Sequence, residues 1–117
     1  MLKTFSQDKG DRGEFIACSY LRHEGYQIIE TKYHSRWGEV DIIARKKHDE
    51  LIFFEVKYYK KESLVHPLQS ITENKQRKMM LTLEKYLSER DIVNEDYRVD
   101  LIIVEREIVT DHIQNIF

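Results

Sequence analysis

Gly38-Glu39-Val40-Asp41-Ile42-Ile43-Ala44 and Leu51-Ile52-Phe53-Phe54-Glu55-Val56-Lys57 are two short runs rich in β-branched and aromatic residues, the composition of strands. The charged stretch between them, Arg45 to Glu50, is short enough to close an antiparallel hairpin. Side chains alternate faces along a strand, so Asp41 goes with Glu39 and Ile43, and Glu55 and Lys57 go with Leu51 and Phe53. A hairpin centred near His48 sets Asp41 across from Glu55, with facing Cβ atoms roughly 5 Å apart. A one-residue slip would part them.

Two carboxylates about 4 Å apart repel by roughly 4 kcal/mol at an effective dielectric near 20. Such a pair needs a cation, a shared proton or a nearby ammonium. Lys57 is one candidate and Mg²⁺ another. Magnesium takes oxygen ligands and retains waters, so Asp41, Glu55 and the backbone carbonyl of Val56 would suit it. By itself a Glu-x-Lys hairpin is also how a solvated sheet face is built. The apolar Ile43, Leu51 and Phe53 on the same face argue against plain solvent surface.

Outward from the hairpin, Ser6 or Asp8 to His23 has helical periodicity and stops at Gly25. Steps of three, four and seven from Glu14 reach Ala17, Cys18 and Leu21, the stripe that should meet the sheet, so this carboxylate is aimed inward. It is expected to lie at the wet end of the stripe, to share a cation, or simply to complement the helix dipole. Tyr26 to Tyr33 reads as a first strand, with Trp37 packing in the turn that follows. After Pro67, Ser70 and Glu73 form a capping-box signature opening a second helix with the stripe Met79, Met80, Leu83, Tyr86 and Leu87. Projected back one turn, that stripe leans Lys75 toward the sheet. Asp96 to Glu105 is a further strand, and Ile108 to Ile116 a last strand or tail. The order α-β-β-β-α-β-β predicts an α/β fold, a mixed central sheet flanked by helices.

The 117 residues suit one domain spanning 1–117. A net charge of −2 argues against a protein that coats nucleic acid non-specifically. Basic clusters occur at Arg45, Lys46 and Lys47, at Lys57, Lys60 and Lys61, and at Lys75, Arg77 and Lys78. No apolar run approaches a membrane span and the polar start lacks a signal-peptide core, which places the chain in the cytoplasm with no membrane partner. Cys18, the single cysteine, reads as a core residue, and the five scattered histidines as surface groups.

Several segments together resemble the UPF0102 (YraN-like) proteins, within the PD-(D/E)XK superfamily of restriction-endonuclease-like folds: Gly10, Gly13 and Glu14 with Tyr20, Leu21, Gly25 and Tyr26, Gly38 to Ala44, Phe54 to Lys57, Lys75 to Leu87, then Arg98 and Asp100. The resemblance covers nearly the whole chain. It implies a phosphodiesterase-type site in which Asp41 and Glu55 hold Mg²⁺ or Mn²⁺, Lys57 orients or activates the attacking water and Glu14 is an additional acid. Nucleic acid, DNA in the first place, is the partner it implies, with branched DNA and a two-fold homodimer to consider because junction resolvases look similar. Val40 stands where the superfamily has its name-giving proline, and Tyr58 and Tyr59 where a basic residue often follows. Phosphate contact would then fall to Lys60, Lys61 and Lys75. The competing expectation is a non-catalytic nucleic-acid-binding or protein-interaction module on the same fold.

Overall fold

A computed structural model describes residues 5–46, 50–60 and 64–117, with side chains from residue 10 onward. Helix α1 (Phe5–His23) is followed by strands β1 (Tyr26–Ser35), β2 (Gly38–Lys46) and β3 (Leu51–Tyr58), a 3-10 turn (Pro67–Ser70), helix α2 (Glu73–Glu89), and strands β4 (Tyr97–Glu105) and β5 (Ile108–Ile113). The expected α-β-β-β-α-β-β order is the observed one. The sheet runs β1-β2-β3-β4-β5, antiparallel except for the β3–β4 pair. Parallel neighbours need a long crossover, and α2 lies in it.

Each helix covers one face. On one side Ala17, Cys18 and Leu21 of α1 pack on Ile42, Ala44, Ile52, Phe54, Ile102 and Val104. On the other, Leu83 and Tyr86 of α2 meet Ile43, Leu51, Phe53 and Val99, with Met79, Met80 and Leu87 at the margin. Gly25, at φ +92°, ends α1 in the left-handed conformation that glycine adopts without steric cost. Gly13 is buried because α1 comes close to β3 there: a Cβ on it would lie 3.3 Å from Cδ2 of Tyr58 and 3.8 Å from Cγ1 of Val56.

Two expectations shift. The second helix opens at Glu73 with Thr72 as its N-cap, its hydroxyl accepting from the Lys75 N–H at 3.3 Å. Ser70 instead closes the preceding 3-10 turn by donating to the Pro67 carbonyl, a competing local bond that the Ser-x-x-Glu pattern does not reveal. Among the histidines, His112 is not a surface group: its side chain is 11% exposed and bonded to Asp100. Lys61 and the hairpin centre at His48 lie outside the described residues. No helix among them is long and apolar enough to cross a membrane.

Candidate active site

The β2–β3 ladder pairs Arg45 with Leu51, Ala44 with Ile52, Ile43 with Phe53 and Ile42 with Phe54, a register that carries Asp41 toward Glu55. It stops there. On the other edge of β2 the β1 ladder runs through Thr31–Ile42 and resumes at Tyr33–Val40, omitting Lys32 and Asp41. Lys32 has φ +53°, a conformation costly for a residue with a Cβ. Asp41 is thus paired on neither side, at the point where β2 leaves β3. Its Oδ2 takes the N–H of Val56 at 2.7 Å, replacing the missing ladder bond.

This break also resets the alternation. Val40 and Tyr33, beyond it, pack with Ile43 and Phe53 on the α2 side, whereas Ile42 faces α1. Strict period two would have put Val40 and Ile42 on one face. The polar groups consequently open into two hollows rather than one.

The first hollow, about 300 Å³, lies between α1 and the opening strands and is lined by Glu14, Lys32, His34, Glu39, Asp41 and Val56. Carboxylate oxygens of Glu14, Glu39 and Asp41 lie within 4.8 Å of one another. Gly13, by letting α1 sit close on Val56, brings Glu14 to this point. The second hollow, about 280 Å³, lies between the β1–β2 turn and α2, with Trp37, Glu39, Glu55, Lys57, Lys75 and Lys78 among its walls. Here Lys57 Nζ is 3.2 Å from Oε1 of Glu55. Glu39 lines both.

Electrostatics join the two sides. Burial, then the charge of Glu55, then Glu39 and Glu14, push the Asp41 carboxyl up to about 8 despite the bond from Val56. Burial raises Glu55 as well, opposed by Lys57 and Lys75 and reinforced by Glu39. Glu14 is raised by burial first, with Glu39 and Asp11 adding to it and Lys32 opposing. Carboxylates that resist ionising together are a site short of positive charge, and hard oxygen donors at this spacing fit Mg²⁺ or Mn²⁺.

Of the residues singled out in the sequence, Glu14, Asp41 and Val56 therefore share the acidic hollow, while Glu55, Lys57 and Lys75 share the basic one. Lys60 is exposed just past the end of β3 and lines neither. Glu39, Lys78 and Trp37 are not expected at the site from sequence: Lys78 reads only as part of a basic cluster and Trp37 as a packing group. Glu39 had a usable signal, two residues before Asp41 on one strand, whereas Lys78 and Trp37 meet only because α2 docks beside the β1–β2 turn.

Relatives align over almost all of this architecture. A protein of Persephonella marina described as a UPF0102 protein is 40% identical over 114 residues, covering 97% of this chain and 96% of that protein. Another UPF0102 protein, from Clostridioides difficile, is 36% identical over 115 residues, 96% and 98% of the two chains. One from Helicobacter pylori is 38% identical over 99 residues, 85% and 82%. The model of the uncharacterised protein family UPF0102 matches residues 13–104, from the glycine that seats α1 to the end of the parallel strand pair, and the chain belongs to that family.

Proposed function

We propose that this protein is a metal-dependent endonuclease of the restriction-endonuclease-like type, hydrolysing phosphodiester bonds in nucleic acid, with DNA as the first substrate. The observation that carries the proposal is the unpaired Asp41, held between two strands with Glu14 and Glu39 within 4.8 Å and with a carboxyl pushed up to about 8. A fold needs no such cluster for stability, since like charges at this spacing oppose folding. Glu14, Glu39 and Asp41, with the Val56 carbonyl on the same wall, would hold the ion, and Glu55 borders it from the other side. A bound Mg²⁺ or Mn²⁺ would supply charge neutralisation and polarisation of a phosphate oxygen.

The chain's own groups supply the rest. Lys57, tethered to Glu55 at 3.2 Å, can donate to a nucleophilic water or to a non-bridging phosphate oxygen and stabilise charge that grows during displacement. Lys75, on the opposite wall, holds the substrate's phosphate against the sheet. Val56 orients Asp41 through its N–H, so the carboxylate's second oxygen is left for a ligand.

The test is a cleavage panel of single-stranded, blunt duplex, flap and four-way DNA, and RNA, with Mg²⁺ or Mn²⁺. Metal-dependent cleavage lost in Asp41→Asn and Lys57→Ala supports the proposal. Binding without cleavage by pure protein would favour the non-catalytic module, and cleavage that survives both substitutions would come from a contaminant.

A further inference from the structure

The basic hollow has features that a metal site and an attacking water do not use. Trp37 forms part of its wall and is half-buried, and the Arg36 guanidinium lies over the indole at 4.7 Å from the ring centroid. Ile71 and Met79 add apolar surface opposite. Lys75 and Lys78 rise from the first turns of α2 and make no ion pair among the described residues. Gly38 borders the hollow at φ +153°, with nothing within 4 Å of where a Cβ would be, so the turn leaves the entrance open beside the indole.

We infer that this hollow is a subsite for one unpaired nucleotide next to the cleaved phosphate, its base lodged against Trp37 and Met79 and its phosphate held by Lys75 and Lys78. The inference rests on the nucleic-acid reading above and narrows it to substrates with a single-stranded or frayed segment. At about 280 Å³ the hollow sits at the small end of ligand clefts, room for a base but not for a base pair. Its make-up is that of a single-strand site, cations tracking the backbone and an aromatic ring for a base to contact. A base still paired in a duplex cannot reach such a recess without leaving its stack. The Arg36–Trp37 pair at the turn also leaves the indole electron-rich face engaged by a cation, which holds the ring in place before a base arrives.

Trp37 is the only tryptophan in the chain, so its emission reports on this hollow alone. Titration with a twelve-residue oligothymidylate, in EDTA at low salt, is expected to quench that emission saturably. A blunt duplex of equal nucleotide content should bind about tenfold more weakly. Followed by anisotropy of a labelled oligonucleotide, Trp37→Ala should lose about tenfold in affinity and Trp37→Phe much less, stacking being worth a few-fold to a hundredfold per base. Lys75→Ala with Lys78→Ala should also weaken binding and lower the salt slope by about 0.7, the value for one neutralised phosphate on a single strand. Circular dichroism establishes that each variant is folded, and Trp37→Leu, which fills the site without an aromatic face and should lose affinity as alanine does, stands in if the alanine variant is not. Equal affinity for single strand and duplex, an unquenched tryptophan, or a folded Trp37→Ala that binds like wild type overturns the inference. Because no divalent ion is present, loss of the nuclease proposal would leave a positive result standing. Conversely, equal metal-dependent cutting of single-stranded or flap DNA by wild type and a folded Trp37→Ala would sink the subsite and leave the nuclease.

Discussion

Asp41 and Asp100 lie on the same sheet, both withdrawn from solvent, in opposite electrostatic circumstances. Asp100 is fully buried on β4 and receives Arg98 Nε at 2.9 Å and Nη2 at 3.2 Å, His112 Nε2 at 2.7 Å and the Asn115 N–H at 3.0 Å. A carboxylate only accepts, so Nε2 of His112 carries a proton and Nδ1 faces the Tyr20 hydroxyl at 3.1 Å. Arg98 in turn donates to Glu50 at 2.6 Å. Burial alone would raise the Asp100 carboxyl, but the bonds from His112, Arg98 and Asn115, with the Arg98 charge, hold it below the ordinary range. Asp41 has one bond and three carboxylate neighbours, and it is pushed the other way. Helix α1 reaches both clusters, Tyr20 bonding the His112 that holds Asp100 and Glu14 lying beside Asp41. Where every acceptor is matched by a donor, a buried acid ties β4, β5 and α1 together. Where acceptors outnumber donors, the same residue type is pushed toward its protonated form, and that imbalance is what the proposed ion site rests on.

The largest effect that separates the two is on cleavage. Lys57→Ala and Asp41→Asn should lower the rate of metal-dependent cutting by about 10²–10³-fold or more, as removal of one charge-stabilising group does elsewhere, with the fold intact by circular dichroism. Normal cutting by Asp41→Asn would remove Asp41 from the functional side of the contrast.

Next in size is stability. Asp100→Ala leaves Arg98 and His112 without their shared acceptor in a buried place and should cost about 3–5 kcal/mol in urea unfolding. Asp41→Asn in metal-free protein at pH 8 should instead raise stability, by about 0.5–2 kcal/mol, the usual size of a stabilising substitution. A loss at Asp41 comparable to that at Asp100 would make both acids structural.

The pH profile carries the same opposition. A carboxyl whose folded pKa is raised binds its proton more tightly in the folded chain, so stability of the metal-free protein should fall as pH rises from about 4 toward 8 through Asp41. Asp100, held low, contributes stability present above its unfolded pKa of about 4 and lost as pH falls below that through the folded value. Asp41→Asn should make the first limb shallower, leaving the part that the raised Glu55 and Glu14 contribute, and leave the acid limb unchanged. Calorimetric Mn²⁺ binding should strengthen between pH 6 and 8 with proton release, up to about tenfold per pH unit for one displaced proton, and Glu39→Gln should weaken it by about tenfold. Metal affinity that is flat with pH, or indifferent to Glu39, would unseat the acidic hollow as an ion site.

Gly13→Ala should have the smallest effect. The helix gains up to about 1 kcal/mol of propensity, but the new Cβ meets Tyr58, whose hydroxyl is tied to Glu107 at 3.1 Å. A net loss of about 1 kcal/mol, with a few-fold weaker Mn²⁺ affinity as Glu14 is moved outward, would show that this glycine serves the acidic hollow rather than Asp100.

Local pattern decided much of this molecule. The β-branched and aromatic runs at 38–44 and 51–57, with a short charged link between them, set an antiparallel pair whose observed register, from Arg45–Leu51 to Ile42–Phe54, carries Asp41 toward Glu55. The stripe Ala17, Cys18, Leu21 and the stripe Met79 to Leu87 each chose the helix face that is buried, because apolar area at helical spacing has only one way to leave water together. Three things needed the tertiary structure. The ladders break on both sides of Asp41 only when β1, β2 and β3 are paired at once, so no strand's own residues announce that Val40 turns to the other face. Tyr20 and Asp100 carry part of the family resemblance, but nothing in the sequence joins them to His112, which lies 92 residues from Tyr20, until a donor count is made in three dimensions. And the division of the carboxylates and lysines into two hollows follows from where α1 and α2 dock, since charge is felt across a few ångströms of space and not along the chain.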